Sequence, residues 1–289
     1  MTKNKDASYY VPEQSAWPII GALALLFLAF GSLNFDQHWG LIAFILGLSG
    51  LVFMLSGWLW NVTQESDAGL YNRQMGKTFR WGMLWFLISE LFLFGLLIGS
   101  IIHVRFSITP WLAGQSGDAS QLTHYLLWPD FARHWPLLKP PSAATTSNTL
   151  SLGSLRQIPL INLIILIASA LFLSGARYHL KKMRYTLCRT LLNLSIFLAF
   201  IFLISQSYYF IQLIQTDIIA KSGVYGSFLI IFLGLHLLNV LGALLFLCIL
   251  GFRSYHDSLL EKNTFSFDAA VGWWGFLAGI WALGFFWIF

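Results

Sequence analysis

Glu90 sits in Ser89-Glu90-Leu91, in the middle of an apolar run over 80–103. A charged carboxylate at the centre of a bilayer costs about 2.5–3.5 kcal/mol on insertion scales. A run that keeps one must supply a hydrogen-bond partner, a polar cavity or a proton. Two roles fit: a proton-handling or lipid-contact site, or a hydrogen-bonded carboxyl that fixes helix packing. His236 is the second polar group at mid-run depth, in Gly234-Leu235-His236-Leu237-Leu238-Asn239. Bis-histidine haem binding needs a second histidine at similar depth. His38, His103, His124, His134, His179 and His256 all lie in loops or near run ends. His236 is therefore expected as a satisfied core histidine, bonded to Glu90 or to a helix carbonyl. A copper site wants clustered His and Cys. Cys188 and Cys248 stand apart, without CxxC spacing, in or beside apolar runs. No redox metal is expected in this chain. Asp268 opens the last apolar run, the place of an acid that caps free N–H groups and complements the helix dipole.

These residues are carried by a chain that is 57% hydrophobic and 10% charged. A soluble domain carries about 25% charged residues. The composition excludes a soluble enzyme, a disordered chain and a nucleic-acid-binding module, and it describes an all-α, polytopic membrane protein. Seven apolar runs are each long enough to cross a bilayer: 17–35, 40–60, 80–103, 158–177, 187–212, 224–251 and 267–289. The first follows a long mixed tail and precedes no small-residue cleavage site, so it is expected to stay in the chain. Lys3, Lys5, Arg73, Lys77, Arg80, Arg177, Lys181, Lys182, Arg184, Arg189, Arg253 and Lys262 fall on one side of these runs. Arg105, Arg133, Lys139, Arg156 and Lys221 fall on the other. The positive-inside rule then places the N-terminus in the cytoplasm and the C-terminus outside. The long external connection, about 104–157, opens with an interfacial, aromatic-anchored segment containing Trp111, Trp128 and Trp135. Ser142 to Ser154 is expected to be flexible.

The last run carries Gly272, Gly275 and Gly279, and Gly275-xxx-Gly279 is a strip for close helix approach within the chain or against another subunit. A retinal protein needs a Schiff-base lysine in that run, and 267–289 has none. A secondary transporter typically shows repeats or helices broken at the midplane. Neither is present, since the eight prolines lie outside the run centres. A stand-alone proton-coupled carrier using Glu90 and His236 is the weaker reading for that reason.

A set of ordered motifs runs along nearly the whole chain. It begins with Tyr9-Tyr10-Val11-Pro12-Glu13, Trp17-Pro18-Ile19, Arg80-Trp81-Gly82-Met83 and Phe86-Leu87-Ile88-Ser89-Glu90. It continues with Ile158-Pro159-Leu160-Ile161-Asn162, Gln206, Gly223-Val224-Tyr225-Gly226-Ser227, Gly234-Leu235-His236 and Phe267-Asp268-Ala269-Ala270 before Trp273-Trp274. In this order the motifs resemble cytochrome c oxidase subunit III, of the haem-copper oxidase family. The resemblance implies seven helices, as a two-helix bundle over 17–60 and a five-helix bundle over 80–289. A cytoplasmic tail over 1–16 and a cytoplasmic loop over 61–79 complete the division. It implies no redox centre and no metal in this chain, with haem and copper held by partner subunits. Subunit I would be in direct contact and subunit II in the same complex. Such a subunit stabilises subunit I, binds phospholipid and supports proton uptake during electron transfer to oxygen.

The family's buried glutamate matches Glu90, with His236 and His103 as its associated polar core. The present first two helices favour the cytochrome c branch over the quinol-oxidase branch. A quinol oxidase or nitric-oxide reductase remains the alternative partner, and a bacterial inner membrane the expected location. Departures are also clear. The family's two arginines after the second helix are absent from Trp60-Asn61-Val62-Thr63-Gln64-Glu65, so headgroup contacts fall to Trp60, Arg73 and Lys77. Asn239 and Tyr209 stand where the family has a histidine and a glutamate. Gly275 and Ala278 replace a histidine and an aspartate, and Asp268 replaces a glutamate.

Overall fold

The computed structural model describes residues 14–71, 73–137, 152–215, 223–255 and 264–289. Their regular structure is all helical, with no strand among them. The reason is solvent. In hydrocarbon each backbone N–H and C=O must be paired within the chain, and a helix does that inside one segment. The helices are α1 (Trp17–Leu33), α2 (His38–Asp67), α3 (Arg73–His103), α4 (Thr109–Leu112), α5 (Asp118–Leu127), α6 (Leu152–Lys181), α7 (Tyr185–Gln215), α8 (Val224–Arg253) and α9 (Thr264–Trp287). A π-helical turn, Val104–Ile108, joins α3 to α4.

Among the described residues six helical segments are long and apolar enough to cross a membrane: His38–Glu65, Gln74–Leu112, Arg156–Lys181, Tyr185–Gln215, Val224–Arg253 and Phe265–Trp287. The first of the seven expected runs forms α1, which has 17 residues. At 1.5 Å per residue it is about 25 Å long, somewhat under a hydrocarbon core of about 30 Å. The helices also outrun the expected boundaries. Much of the 61–79 connection is helical, because α2 continues to Asp67 and α3 begins at Arg73. Polar helix formers such as Gln64, Glu65, Gln74 and Lys77 extend a helix beyond its apolar part. The long connection likewise contains α4 and α5, and α6 begins at Leu152. Positions 142–151 of the stretch expected to be flexible lie outside the described residues.

The chain divides into two compact units, Met1–Gly82 and Met83–Phe289. In the first, α1 and α2 form a close antiparallel pair. Pro18 occupies the first turn of α1, where a missing N–H costs nothing. Asn34 ends it, its Nδ2 donating to the Phe30 carbonyl at 2.9 Å. The two backbones approach at Gly47, where a Cβ would lie 2.8 Å from the Ala24 carbonyl oxygen. Trp17 closes the far end against Phe53, with ring centroids 5.7 Å apart.

In the second unit, α6 packs on α7 and α9, and α8 packs on α7 and α9. The α6–α7 turn is capped by Met183, whose φ of 56° is left-handed. Lys182 and Arg184 donate their backbone N–H groups to the His179 carbonyl at 3.1 and 3.0 Å, closing the end of α6. The core is built from large side chains, including Trp274, Trp281, Phe94, Phe202 and Phe232, each fully buried. Outward positions remain apolar. Ile164 and Ile204 are 62% and 69% exposed, the pattern of helices whose outer face meets lipid.

Candidate functional site

Glu90 is half-buried on α3, and its partner comes from α8. Asn239 Nδ2 donates to Glu90 Oε2 at 3.0 Å and also to the Leu235 carbonyl at 3.3 Å. An amide thus meets the carboxylate where the charge would otherwise face hydrocarbon. Asn239 drew attention in the sequence as a replaced histidine, not as this partner. Around the pair lie aromatic rings. Phe86 meets Trp273 edge-on at 5.1 Å, and Phe94 meets Phe232 at 5.8 Å and Phe276 at 6.4 Å.

His236 is three residues before Asn239 on α8 yet serves a different interface. It is fully buried, and its Nε2 lies 3.1 Å from the Leu277 carbonyl of α9. With Nε2 as the donor, this is the helix-carbonyl bond expected from sequence; the alternative bond to Glu90 does not form. Trp281, Phe202 and Phe232 surround the ring at 4.9, 5.8 and 6.2 Å. Its Nδ1 has no hydrogen-bond partner among the described residues. His103, grouped with Glu90 and His236 from sequence, is exposed at the end of α3. It is thirteen residues along the same helix, about 20 Å away, and the structure does not join it to them.

The small polar residues of the apolar helices form two further buried clasps. Ser169 Oγ donates to the Ser195 carbonyl and Ser195 Oγ to the Ser169 carbonyl, both at 2.9 Å, tying α6 to α7. Trp274 Nε1 of α9 donates to Ser169 Oγ at 3.0 Å. Asn162 Nδ2 donates to Gln206 Oε1 at 2.9 Å, and Ser205 Oγ to Asn162 Oδ1 at 2.7 Å. Trp281 Nε1 donates to the Pro159 carbonyl at 3.2 Å. Asn162, Pro159 and Gln206 were visible only as motif residues. Serine and asparagine inside apolar runs were the available signal for the clasps.

Asp268 is not the N-cap of the last helix. The helix begins at Thr264, and Asp268 lies a turn inside it, paired with Arg177 of α6. The signal was a lone acid and a base at the ends of neighbouring runs. Both side chains are about a third exposed, at 29% and 32%, so the pair contributes at most about 1 kcal/mol.

The glycine strip divides. A Cβ on Gly272 would make ordinary contact with Leu87 of α3 at 3.7 Å. Gly275 and Gly279 are exposed and would meet nothing within 4 Å. Among the described residues of Met83–Phe289 no helix packs on them. Trp60 is 65% exposed on α2, and Lys77 is exposed on α3. The side chain of Arg73 lies outside the described residues. Among the described residues no three His, Cys, Asp or Glu side chains form a group that could hold a metal.

A family model described as cytochrome c oxidase subunit III matches residues 7–117 and 149–289. The curated relatives include cytochrome c oxidase subunit 3 of Homo sapiens, 27% identical over 280 residues, covering 96% of this chain and 95% of the human one. The subunit 3 of Osphranter robustus is 26% identical over 277 residues, covering 95% and 93%. That of Aedes aegypti is 26% identical over 284 residues, covering 97% and 95%. With the half-buried carboxylate, the core histidine and the membrane helices in place, the chain belongs to the cytochrome c oxidase subunit III family.

Proposed function

We propose that the chain is the non-redox subunit III of an aerobic respiratory cytochrome c oxidase. It stabilises subunit I by direct contact, shares its complex with subunit II, binds phospholipid and supports proton uptake. The observation that carries this reading is the family match over both compact units, with Glu90 held by Asn239 inside it. Haem and copper then belong to the partner subunits, and this chain supplies no ligand to them. It has seven spans, with α1 crossing as the first; the N-terminus is cytoplasmic and the C-terminus external, in a bacterial inner membrane.

Each site residue has a role in that assembly. Glu90 is a proton or lipid site whose carboxylate is steadied by an amide that cannot itself take the proton. His236 locks α8 to α9 through the Leu277 carbonyl, while Glu90 is held by Asn239. Trp60, Arg73 and Lys77 stand at headgroup level on the first unit. Gly275 and Gly279 face a partner, because bare backbone on an outward helix face permits the closest approach of another helix.

The test is a gentle-detergent pull-down of the tagged chain from its own membranes, read by redox difference spectrum and mass spectrometry. Haem a with subunits I and II is the expected result. Haem b without a copper-bearing subunit II would reassign the chain to a quinol oxidase or nitric-oxide reductase. Absence of any haem-bearing partner, in cells that make an oxidase, would overturn the subunit reading altogether.

A further inference from the structure

The family match stops at residue 117 and resumes at 149, and α5 lies in the gap. This ten-residue helix is inside out. Its protein-facing side is polar. Ser120 is fully buried, accepting from the Ser116 N–H at 2.9 Å and donating to the Gly117 carbonyl at 2.8 Å. His124 Nδ1 donates to the Leu112 carbonyl at 2.8 Å. Its outward side carries Leu122, 61% exposed, Tyr125, 77%, and Leu126, 64%, with exposed Asp118 and Gln121 on its N-terminal turn. Spacing of three and four residues puts these side chains on one face.

Two attachments fix where that face lies. Leu112 is the last residue of the helical segment Gln74–Leu112, which outruns a bilayer core, so the His124 bond ties α5 to the extension beyond the His103 end of the span. A Cβ on Gly114 would sit 3.1 Å from the Cβ of His124, so the helix lies flush on the turn after that span. Beyond α5 the chain is tied down again. Phe131 and Leu137 are buried in the main core, and Trp135 packs edge-on against Tyr225 of α8 at 5.5 Å. Held at both ends, α5 cannot roll its leucines inward without breaking the Ser120 and His124 bonds.

We propose that α5 is an interfacial anchor, its Leu122–Tyr125–Leu126 face seated in the phospholipid of the leaflet at the His103 end of α3. Attachment to the extension of α3 is the first argument. Chemistry is the second, since a tyrosine between leucines at a span end suits the headgroup–acyl boundary. Size is the third. Three side chains on a ten-residue helix fall well short of the roughly 800 Å2 per side that a stable protein contact buries, so this face by itself is no docking site for a separate protein. The inference rests on the membrane reading of α3 and not on which oxidase the chain serves.

The test places a nitroxide, through Leu122→Cys, Tyr125→Cys and Leu126→Cys in turn, with Ser116→Cys as the aqueous comparison. The tagged full chain is kept with its native partners and reconstituted in phosphatidylcholine–phosphatidylglycerol vesicles. The unsubstituted chain, labelled in parallel, accounts for Cys188 and Cys248. Collisions with oxygen should dominate those with a water-soluble nickel chelate at 122, 125 and 126, and the order should reverse at 116. The inferred depth should be about 5–10 Å below the phosphates. Free nickel access at all three positions would leave the face in water and overturn the proposal. Immobilised labels shielded from both reagents would replace lipid with a protein partner and overturn it equally. Neither result bears on the haem found in the pull-down, so the two readings fail separately.

Discussion

Glu90 and Asn239 form a pair whose parts can be weighed separately. Glu90→Gln keeps an oxygen acceptor for Asn239 Nδ2 and removes only the charge. Assembly should therefore survive, and any loss should show in the pH dependence of turnover. Failure of Glu90→Gln to assemble would mean that the charge itself holds the fold. A double-mutant cycle with Glu90→Ala and Asn239→Ala should give a coupling of about 0.6 kcal/mol, the usual size for polar pairs between membrane helices. Controlled unfolding in mixed micelles would measure it, and zero coupling would dissolve the pair. The carboxylate was legible in sequence because a charge in an apolar run stands out. Its partner was not, because an asparagine three residues past His236 carries no mark of which helix it faces. His103 failed for a related reason: a histidine at a span end shares a helix with Glu90 but not its depth.

Between elements, the useful contrast is between glycines that are covered and glycines that are not. Gly47 of α2 lies against the backbone of α1, where a Cβ would come 2.5 Å from the Leu28 nitrogen. Backbone cannot step aside as a flexible side chain can, so Gly47→Leu should cost at least the roughly 1–3 kcal/mol of ordinary overpacking. A lowered thermal transition of the purified complex would register it, and an unchanged transition would refute the close approach. A Cβ on Gly275 meets nothing within 4 Å among the described residues, so Gly275→Leu has an open face to occupy. It should leave expression and helical circular dichroism unchanged and reduce the subunit I recovered with the tagged chain. Full recovery would remove Gly275 from the partner face. The GxxxG spacing was readable, but spacing does not say which side of a helix is already occupied. The same limit hid the Ser169–Ser195–Trp274 clasp. Each residue alone reads as tolerated in a membrane helix, and only the packing of α6, α7 and α9 brings them within 3.0 Å.

At the scale of the whole molecule, the apolar runs were the strongest signal in the sequence, since the bilayer dictates both their length and their helicity. What they did not convey was where each helix stops, because polar residues extend α2 and α3 past the bilayer without altering the hydrophobic count. Orientation is a separate matter and rests on charge. Lys181, Lys182 and Arg184 flank Met183, which is 60% exposed in the α6–α7 turn. Ser116, also exposed, lies in the turn before α5, beyond the opposite end of the span Gln74–Leu112 from Lys77. Translocating the α6–α7 turn would carry several cations across the membrane against the positive-inside bias. Met183→Cys should therefore react with a membrane-impermeant maleimide only in inverted vesicles, and Ser116→Cys only in intact spheroplasts. The reverse pattern would invert the topology and place the α5 face in the cytoplasmic leaflet. Labelling of both positions from one side would mean that α6, the one candidate span between these two sites, fails to cross.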